Sequence, residues 1–340
     1  MRILNKFKKL IAVAATFTLV AGSLLTGCGS KDGADGDLQT VRIAVMTGQA
    51  DYYAALLEDK QGIYKKHGIK LEFTEYVAGI NTIDAVVTGV ADIGMMADFA
   101  TVNRIGNTIN DTNLVIFSQI SNGVAQNGGL YVAPQYENNL KALDGSKGFI
   151  TQIGTVTEYY NALVFEKLGI AEKKQNIINT DSVQTSLALA NKNQASAIYI
   201  TGSGASKFEE QGWKLALKSK DLGIEAATYW LTTSAYNEAN QELIGKFLEA
   251  SQEAFDYIDA NLDETASYFE SFSGLAAADF KANWKAVSHK VGFTEESAKH
   301  LESIEKWGYN HGKYSTDYDI RKFINADAAK KVLPSQVTIQ

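Results

Sequence analysis

Residues 58–96 read EDKQGIYKKHGIKLEFTEYVAGINTIDAVVTGVADIGMM, and this stretch decides the fold. Its apolar residues change period repeatedly. Up to His67 they sit at helical spacing, and Gly68 stands where a left-handed stop belongs. From Ile69 to Tyr76 apolar and polar side chains alternate as a strand requires. Ala78-Gly79-Ile80-Asn81 reads as a turn, Thr82 to Thr88 as helix closed by Gly89, and Ala91 to Met95 as the next strand. Upstream, Val41 to Met46 is a short apolar strand. Thr47 to Ala50 leads from it into a helix running from Asp51 to about His67, with Asp51 as N-cap and Leu56 and Leu57 inward. Downstream, Asp98 to Ile105 is helical and Leu114 to Ile120 is a fourth strand. Strands alternating with helices at this interval predict a parallel sheet with right-handed crossovers.

A second group of the same kind follows. Gly129 to Ala133, Gly148 to Ile153, Asn176 to Asn179 and Ala195 to Ile200 are strand candidates. Thr157 to Leu168, closed by Gly169, and Val183 to Lys192 are helices between them. Glu225 to Thr232 reads as a strand leading back. From Asn237 onward the pattern is mainly helical, over Gln241 to Asn261, Glu264 to Phe272, Ala276 to Lys285 and Thr294 to His311. The chain therefore divides into two α/β lobes, residues 39–124 with 228–340 forming lobe 1 and residues 125–227 forming lobe 2.

Particular residues within the opening stretch carry a family resemblance. Gly62-Ile63-Tyr64, Gly68-Ile69 and Gly89-Val90-Ala91-Asp92-Ile93-Gly94 resemble the first lobe of the ABC-importer binding proteins for sulfonates, taurine, nitrate and thiamine-pyrimidines. In lobe 2, Leu143-Asp144-Gly145, Gly154-Thr155 and Leu187-Ala188-Leu189-Ala190 match more loosely, and Ser146-Lys147-Gly148 departs from the family's usual continuation. The resemblance spans roughly residues 40 to 235 and implies an α/β, two-lobed periplasmic-binding-protein-like fold of type II. Each lobe is then a mostly parallel sheet flanked by helices, with a helical C-terminal region. It also implies a solute caught between the lobes by hinge closure, with an ABC permease and its ATPase as partners.

The N-terminus fits that setting. Arg2, Lys6, Lys8 and Lys9 precede an apolar run from Leu10 to about Val20, the layout of a secretory signal over residues 1–27. The run is shorter than the about 20 residues a spanning helix needs. Leu25-Thr26-Gly27-Cys28 resembles a bacterial lipobox, and Cys28 is the single cysteine of the chain. We expect lipid on Cys28, a polar tether over residues 28–38, and a chain held on the outer face of the cell membrane as a monomer. Loss of residues 1–27 removes four basic groups and moves the formal charge from −7 to −11. So acidic a body is ill suited to nucleic acid, whose binding rests on Lys and Arg.

In parallel-sheet proteins ligands sit beyond the carboxyl ends of strands, where helix N-termini offer unpaired N–H groups. That rule nominates Thr47, Gln49, Asp51 and Tyr52 after the first strand, and Asn81 after the second. It nominates Met96, Asp98 and Phe99 after the third, and Gln119, Ser121 and Asn122 after the fourth. In lobe 2 it nominates Thr155, Thr157, Tyr159, Tyr160, Ser182, Gln184, Tyr199 and Thr201. Trp230 lies on the return strand. These hydroxyls, amides and aromatics suit the wall of a solute pocket. Each has a plainer reading: Asp51, Asp98, Thr157 and Ser182 as helix caps, Tyr199 and Trp230 as core, and at most one of Tyr159 and Tyr160 facing inward.

No arginine falls in these loops, so a heteroaromatic such as an aminopyrimidine is favoured over a sulfonate-like anion. The four histidines, at 67, 289, 300 and 311, show no zinc spacing. Gly202-Ser203-Gly204 is not a nucleophile elbow, and phosphate-loop motifs are missing. No enzyme, cofactor or metal is expected. A sensory binding lipoprotein without transport, and a pyrimidine-processing enzyme on the same fold, are the alternatives.

Overall fold

The computed structural model describes residues 38–76, 79–124, 128–153, 155–201, 203–223 and 225–339. The signal, Cys28 and the tether up to residue 37 lie outside the described residues.

Strand β1 (Gln39–Met46) lies one strand in from an edge of the first sheet, and Val41 and the consecutive Ile43, Ala44 and Val45 are buried, as a strand covered on both faces demands. It leads into α1 (Ala50–Gln61) and the one-turn α2 (Ile63–Lys66). The pattern implied one helix to His67, but Gly62 interrupts it. With φ at 59° it adopts the left-handed conformation that ends a helix, and its N–H reaches the Glu58 carbonyl at 2.9 Å. The Glu58 carboxylate then accepts the Tyr64 N–H at 2.8 Å, starting α2 afresh.

Next come β2 (Ile69–Tyr76), α3 (Gly79–Val87), β3 (Ile93–Ala97), α4 (Asp98–Asn107) and β4 (Leu114–Val124). The second sheet is built by β5 (Gly128–Val132), β6 (Phe149–Thr151), α5 (Val156–Leu168), β7 (Ile177–Asn179), α6 (Val183–Asn191), β8 (Ala197–Thr201), α7 (Ser203–Glu210) and β9 (Lys214–Lys218). The chain returns as β10 (Glu225–Thr233). It ends through α8 (Ser234–Ala239), α9 (Gln241–Ala260), α10 (Leu262–Ser273), α11 (Ala277–Ala286), β11 (Ser288–Gly292), α12 (Glu295–Asn310) and α13 (Asp327–Val332). The region after Asn237 is thus not wholly helical. Strand β11, with too few apolar residues to show in the apolar pattern, pairs with β4 and closes one sheet edge.

The first sheet has the order β11-β4-β10-β3-β1-β2 and the second β7-β6-β8-β5-β9. Strands β1, β2 and β3 pair in parallel, and β10 is inserted antiparallel between β3 and β4, so β4 shares their direction. Likewise β6, β7 and β8 are parallel, while β5 runs against its neighbours β8 and β9. In each sheet the majority direction is broken by the strand adjoining a passage between lobes, β10 or β5, and in the first sheet by the edge strand β11 as well.

The signature Gly89 to Gly94 turns out to be architecture. The Asp92 carboxylate takes Arg42 Nη2 at 2.5 Å and Nε at 3.1 Å, while Arg42 Nη1 reaches the Gly89 carbonyl at 2.9 Å. A Cβ on Gly94 would lie 2.8 Å from the Thr82 carbonyl oxygen and 2.9 Å from Val86 Cγ2, so α3 rests directly on β3. Burial in the second sheet alternates strictly: Leu130, Val132 and Tyr199 face one cluster, and Tyr131, Ile198 and Ile200 face the other.

Candidate functional site

Residues 125–127 separate the end of β4 from the start of β5, and residues 219–224 separate β9 from β10. Register fixes where these passages lie. Glu225 pairs with Val124 at the carboxyl end of β4, and Gly128 pairs with Thr201 at the carboxyl end of β8. Because β4 shares its direction with β1 to β3, and β8 with β6 and β7, the carboxyl ends of both strand sets meet at the two passages. The loops beyond those ends therefore lie on the side of each sheet where the chain passes to the other, the position at which open α/β sheets hold ligands.

On lobe 1, Thr47 extends the β1–β2 ladder through its N–H to the Tyr76 carbonyl at 3.3 Å, and its hydroxyl reaches Glu75 at 3.2 Å. Gln49, not Asp51, is the N-cap of α1. Asp51 is the second helical residue and only 1% exposed. Neither of its oxygens has a hydrogen-bond partner of normal geometry, and burial pushes its pKa up to about 7 against partial relief from nearby backbone N–H groups. Tyr52 is buried edge-on to Tyr53. Helix α3 starts at Gly79, so Ile80 and Asn81 sit in its first turn rather than in a free turn. Met46 Sδ and Met96 Cγ approach within 4 Å of the place where a Gly79 Cβ would stand, which makes two thioether side chains the floor below that turn.

Asp98 begins α4 and is committed on both oxygens. Oδ1 accepts the Phe99 N–H at 2.6 Å, and Oδ2 accepts the Ala227 N–H at 3.1 Å and faces His300 Nε2 at 2.8 Å. Gln119 and Ser121 lie within β4, which runs past the expected end at Ile120 to Val124. Gln119 Oε1 accepts from the Ser297 hydroxyl, and the Ser121 hydroxyl meets that of Thr228 at 2.8 Å. Trp230 is fully buried 5.2 Å from Phe247 of α9, in the lobe 1 core and away from the cleft loops. A run of apolar residues along β10 covers both faces of that strand, which is why its indole belongs to the interior.

On lobe 2, Thr155 caps α5, and its hydroxyl donates to the Gln152 carbonyl at 2.7 Å. The Thr157 hydroxyl lies 2.8 Å from that of Thr155, 3.3 Å from that of Thr151, and accepts the Gln152 N–H at 3.1 Å. Ser182 caps α6, and exposed Gln184 lies in its first turn. Thr201 ends β8, and its side chain lies outside the description. Both Tyr159 and Tyr160 are used, but for packing. Tyr159 stacks on Phe99 across the lobe boundary, with centroids 5.6 Å apart and rings parallel, and Tyr160 lies 4.8 Å from Tyr199. Burial, with the Asp98 charge behind it, raises the pKa of both phenols, so they stay neutral. Tyr199 is held at 2.6 Å from the Ser219 hydroxyl.

The structure thus gathers Phe99, Tyr159, Tyr160 and Tyr199 beside the passages, and a threonine cluster at the mouth of lobe 2. Sequence reasoning overlooked His300, Trp307, Lys313, Ile80 and Ile153. Ile80 is 44% exposed on the lobe 1 loop edge and Ile153 is 58% exposed on that of lobe 2, an apolar residue offered from each side. Their signal was present, since each lies a few residues past a strand's carboxyl end, after Tyr76 and Thr151. The placement of Trp307 carried none. Among the described residues no group of three or more His, Cys, Asp or Glu is placed to hold a metal, and no helix is long and apolar enough to cross a membrane.

Two mixed sheets with opposed carboxyl edges and two chain passages define the class of two-lobed, periplasmic-binding-protein-like folds. Within it, the chain belongs to the NMT1/THI5 like family, whose model matches residues 47–265. Among solved structures it is similar to the periplasmic aliphatic sulphonate binding protein SsuA of Escherichia coli. The identity is 17%, the TM-score 0.72, and the match covers 84% of this chain and 92% of that one. It is similar to the alkanesulfonate-binding protein SsuA of Xanthomonas axonopodis pv. citri bound to MOPS, at 15% identity and TM-score 0.69, over 86% and 99% of the chains. The periplasmic nitrate-binding protein NrtA of Synechocystis PCC 6803 matches at 14% identity and TM-score 0.64, over 88% and 89%. No curated protein matches the sequence.

Proposed function

We propose that this chain is the solute-binding lipoprotein of an ABC importer. It captures one small organic molecule between residues 39–124 with 228–340 on one side and residues 125–227 on the other, and shuts around it by rotation at the passages. The observation that carries the reading is the opposition of the two carboxyl edges at the passages, supported by membership of a family with this fold. The protein is then exported, anchored through lipid on Cys28, monomeric, and partnered by a permease and its ATPase.

The guest we favour is a neutral or amine-bearing heteroaromatic such as an aminopyrimidine, with a sulfonate-like anion second. Support comes from the arginines. Arg42 pairs with Asp92, Arg104 with Asp84, and Arg321 with Glu295 and Glu302, so each described guanidinium is already matched to carboxylates. Threonine hydroxyls, thioethers and aliphatic residues at the loop edges suit a flat, weakly polar guest. The bound molecule is returned unchanged, because the cleft loops offer hydroxyls already bonded to one another rather than a nucleophile with a base.

A thermal-shift panel of aminopyrimidines, purines, flavins, sulfonates and nitrate tests this. Ligand at 100-fold its dissociation constant stabilises the native state by about 2.7 kcal/mol, a readable shift. We expect a shift with aminopyrimidines and one-to-one calorimetric stoichiometry with no turnover. No shift with any compound sinks the reading, and conversion of a bound compound moves the protein to the enzymes. Cys28→Ser should release the chain from the membrane fraction.

A further inference from the structure

We propose that the carboxyl end of α12 and the turn after it, through Trp307 and Lys313, form a third hinge contact besides the two chain passages. It holds the first turn of α5 in place, and with it the Thr155–Thr157 loop. The inference rests on the cleft reading for its functional meaning and on geometry for its existence.

Helix α12 packs on α4 and belongs to the first sheet's core, yet its end grips lobe 2. The Tyr159 ring lies 4.9 Å from Trp307 and 5.6 Å from Phe99, so a lobe 2 side chain is seated between two lobe 1 aromatics. Lys313 Nζ lies 2.6 Å from Glu158 Oε1 and 3.9 Å from Glu172 Oε1, and His311 Nε2 lies 3.8 Å from Glu172 Oε2. Lys313 and Glu158 are each less than a fifth exposed, so water screens this pair less than a surface pair. Val156 and Tyr159 pack against the cores of both lobes.

The lobe 1 side of the contact is itself braced. The Tyr314 ring packs against Gly106 and Gly308, its hydroxyl donates to the Glu305 carbonyl, and the Tyr318 hydroxyl donates to the Val102 carbonyl at 2.7 Å. Trp307 and His311 stack at 4.3 Å. The lobe 2 side adjoins the passages: Tyr160 packs on Tyr199, which is bonded to Ser219, and the Ser219 hydroxyl donates to the Gly128 carbonyl at 2.8 Å. A contact beside the rotation axis survives small rotations while resisting twist and slide. Lobe 2 is thereby confined to one mode of closure, and its ligand loop meets lobe 1 in one register. Lys313 and Trp307 are positioning residues.

The test is an interlobe distance distribution from spin labels at Asp59→Cys and Gln135→Cys, exposed sites on lobes 1 and 2, in a Cys28→Ser chain. Lys313→Met should broaden the distribution, and Lys313→Arg should restore it. Trp307→Leu should broaden it further. Should that variant unfold, Lys313→Met still decides the matter. Distributions for Lys313→Met that superimpose on the parent's overturn the hinge contact. If the panel finds no ligand but the distribution broadens, the cleft reading fails and the contact stands.

Discussion

His300 Nε2 lies 2.8 Å from Asp98 Oδ2, the same oxygen that accepts the Ala227 N–H at 3.1 Å, so one buried carboxylate ties α12, α4 and the return strand together. Burial lowers the imidazole pKa, but the Asp98 hydrogen bond and charge, with Glu225 beyond, prevail and raise it above 6.5. A folded-state pKa above the unfolded one gives stability that is full below about pH 6.5 and fades as pH rises through the raised value. The melting temperature should therefore fall across that window, and in His300→Gln the fall should be shallower. Asp98→Ala should cost about 1–3 kcal/mol at any pH, because it strands a buried N–H. Identical pH profiles for the parent and His300→Gln would show that the two residues are not coupled.

Asp51 carries a pH dependence of the same sign from a different cause, because it is a buried acid without an ionic partner. Its pKa, raised to about 7, means that the native state keeps the proton to higher pH than the unfolded chain. The stability this brings is complete below the ordinary carboxyl range and is lost as pH rises through about 7. Asp51→Asn should accordingly melt higher than the parent at pH 8 and alike at pH 4. Melting curves at the two pH values check it, and a lower melting point for the variant at pH 8 would reveal an ionised, well-solvated carboxylate.

Much of the fold was legible because backbone conformation is written in single residues. Glycine at 68, 89 and 169 marks the ends of helical turns, and the alternation through Ile69–Tyr76 marks a strand whatever surrounds it. The cleft was less legible. Asp98 has the composition of a ligand residue, and only its distance to His300, two hundred positions away in the chain, shows where its oxygens are spent. Trp307 and Lys313 meet α5 for the same non-local reason. Strands β9 and β11 passed unnoticed because, unlike the equally short apolar β3 and β5, they carry lysines, a serine and a histidine among few apolar residues.

Gly94 makes the architectural part of that reading testable. Its missing side chain lets the Thr82 carbonyl and Val86 approach β3, and an added methyl would meet both inside 3 Å. Overpacking of this kind typically costs about 1–3 kcal/mol. Gly94→Ala should therefore lower the urea midpoint with an unchanged slope. An unchanged midpoint would mean that α3 can lift away freely.

His289 supplies a dependence of the opposite sign to that of His300. It stacks on Trp284 at 3.7 Å with the planes 12° apart, and the Trp284 N–H donates to Asp259 at 2.6 Å on the far side. Burial drives its pKa down to about 4, with the Asp259 charge opposing weakly. The native state thus refuses a proton that the unfolded chain takes up at 6.5, so stability is full above 6.5 and drains away as pH falls toward 4. A single such group contributes at most about 1.4 kcal/mol per pH unit across that window. His289→Phe keeps the stack and removes the titration, so its stability should decline less steeply between pH 6.5 and 4. Equal slopes in denaturant titrations would place the proton-refusing group elsewhere in the fold.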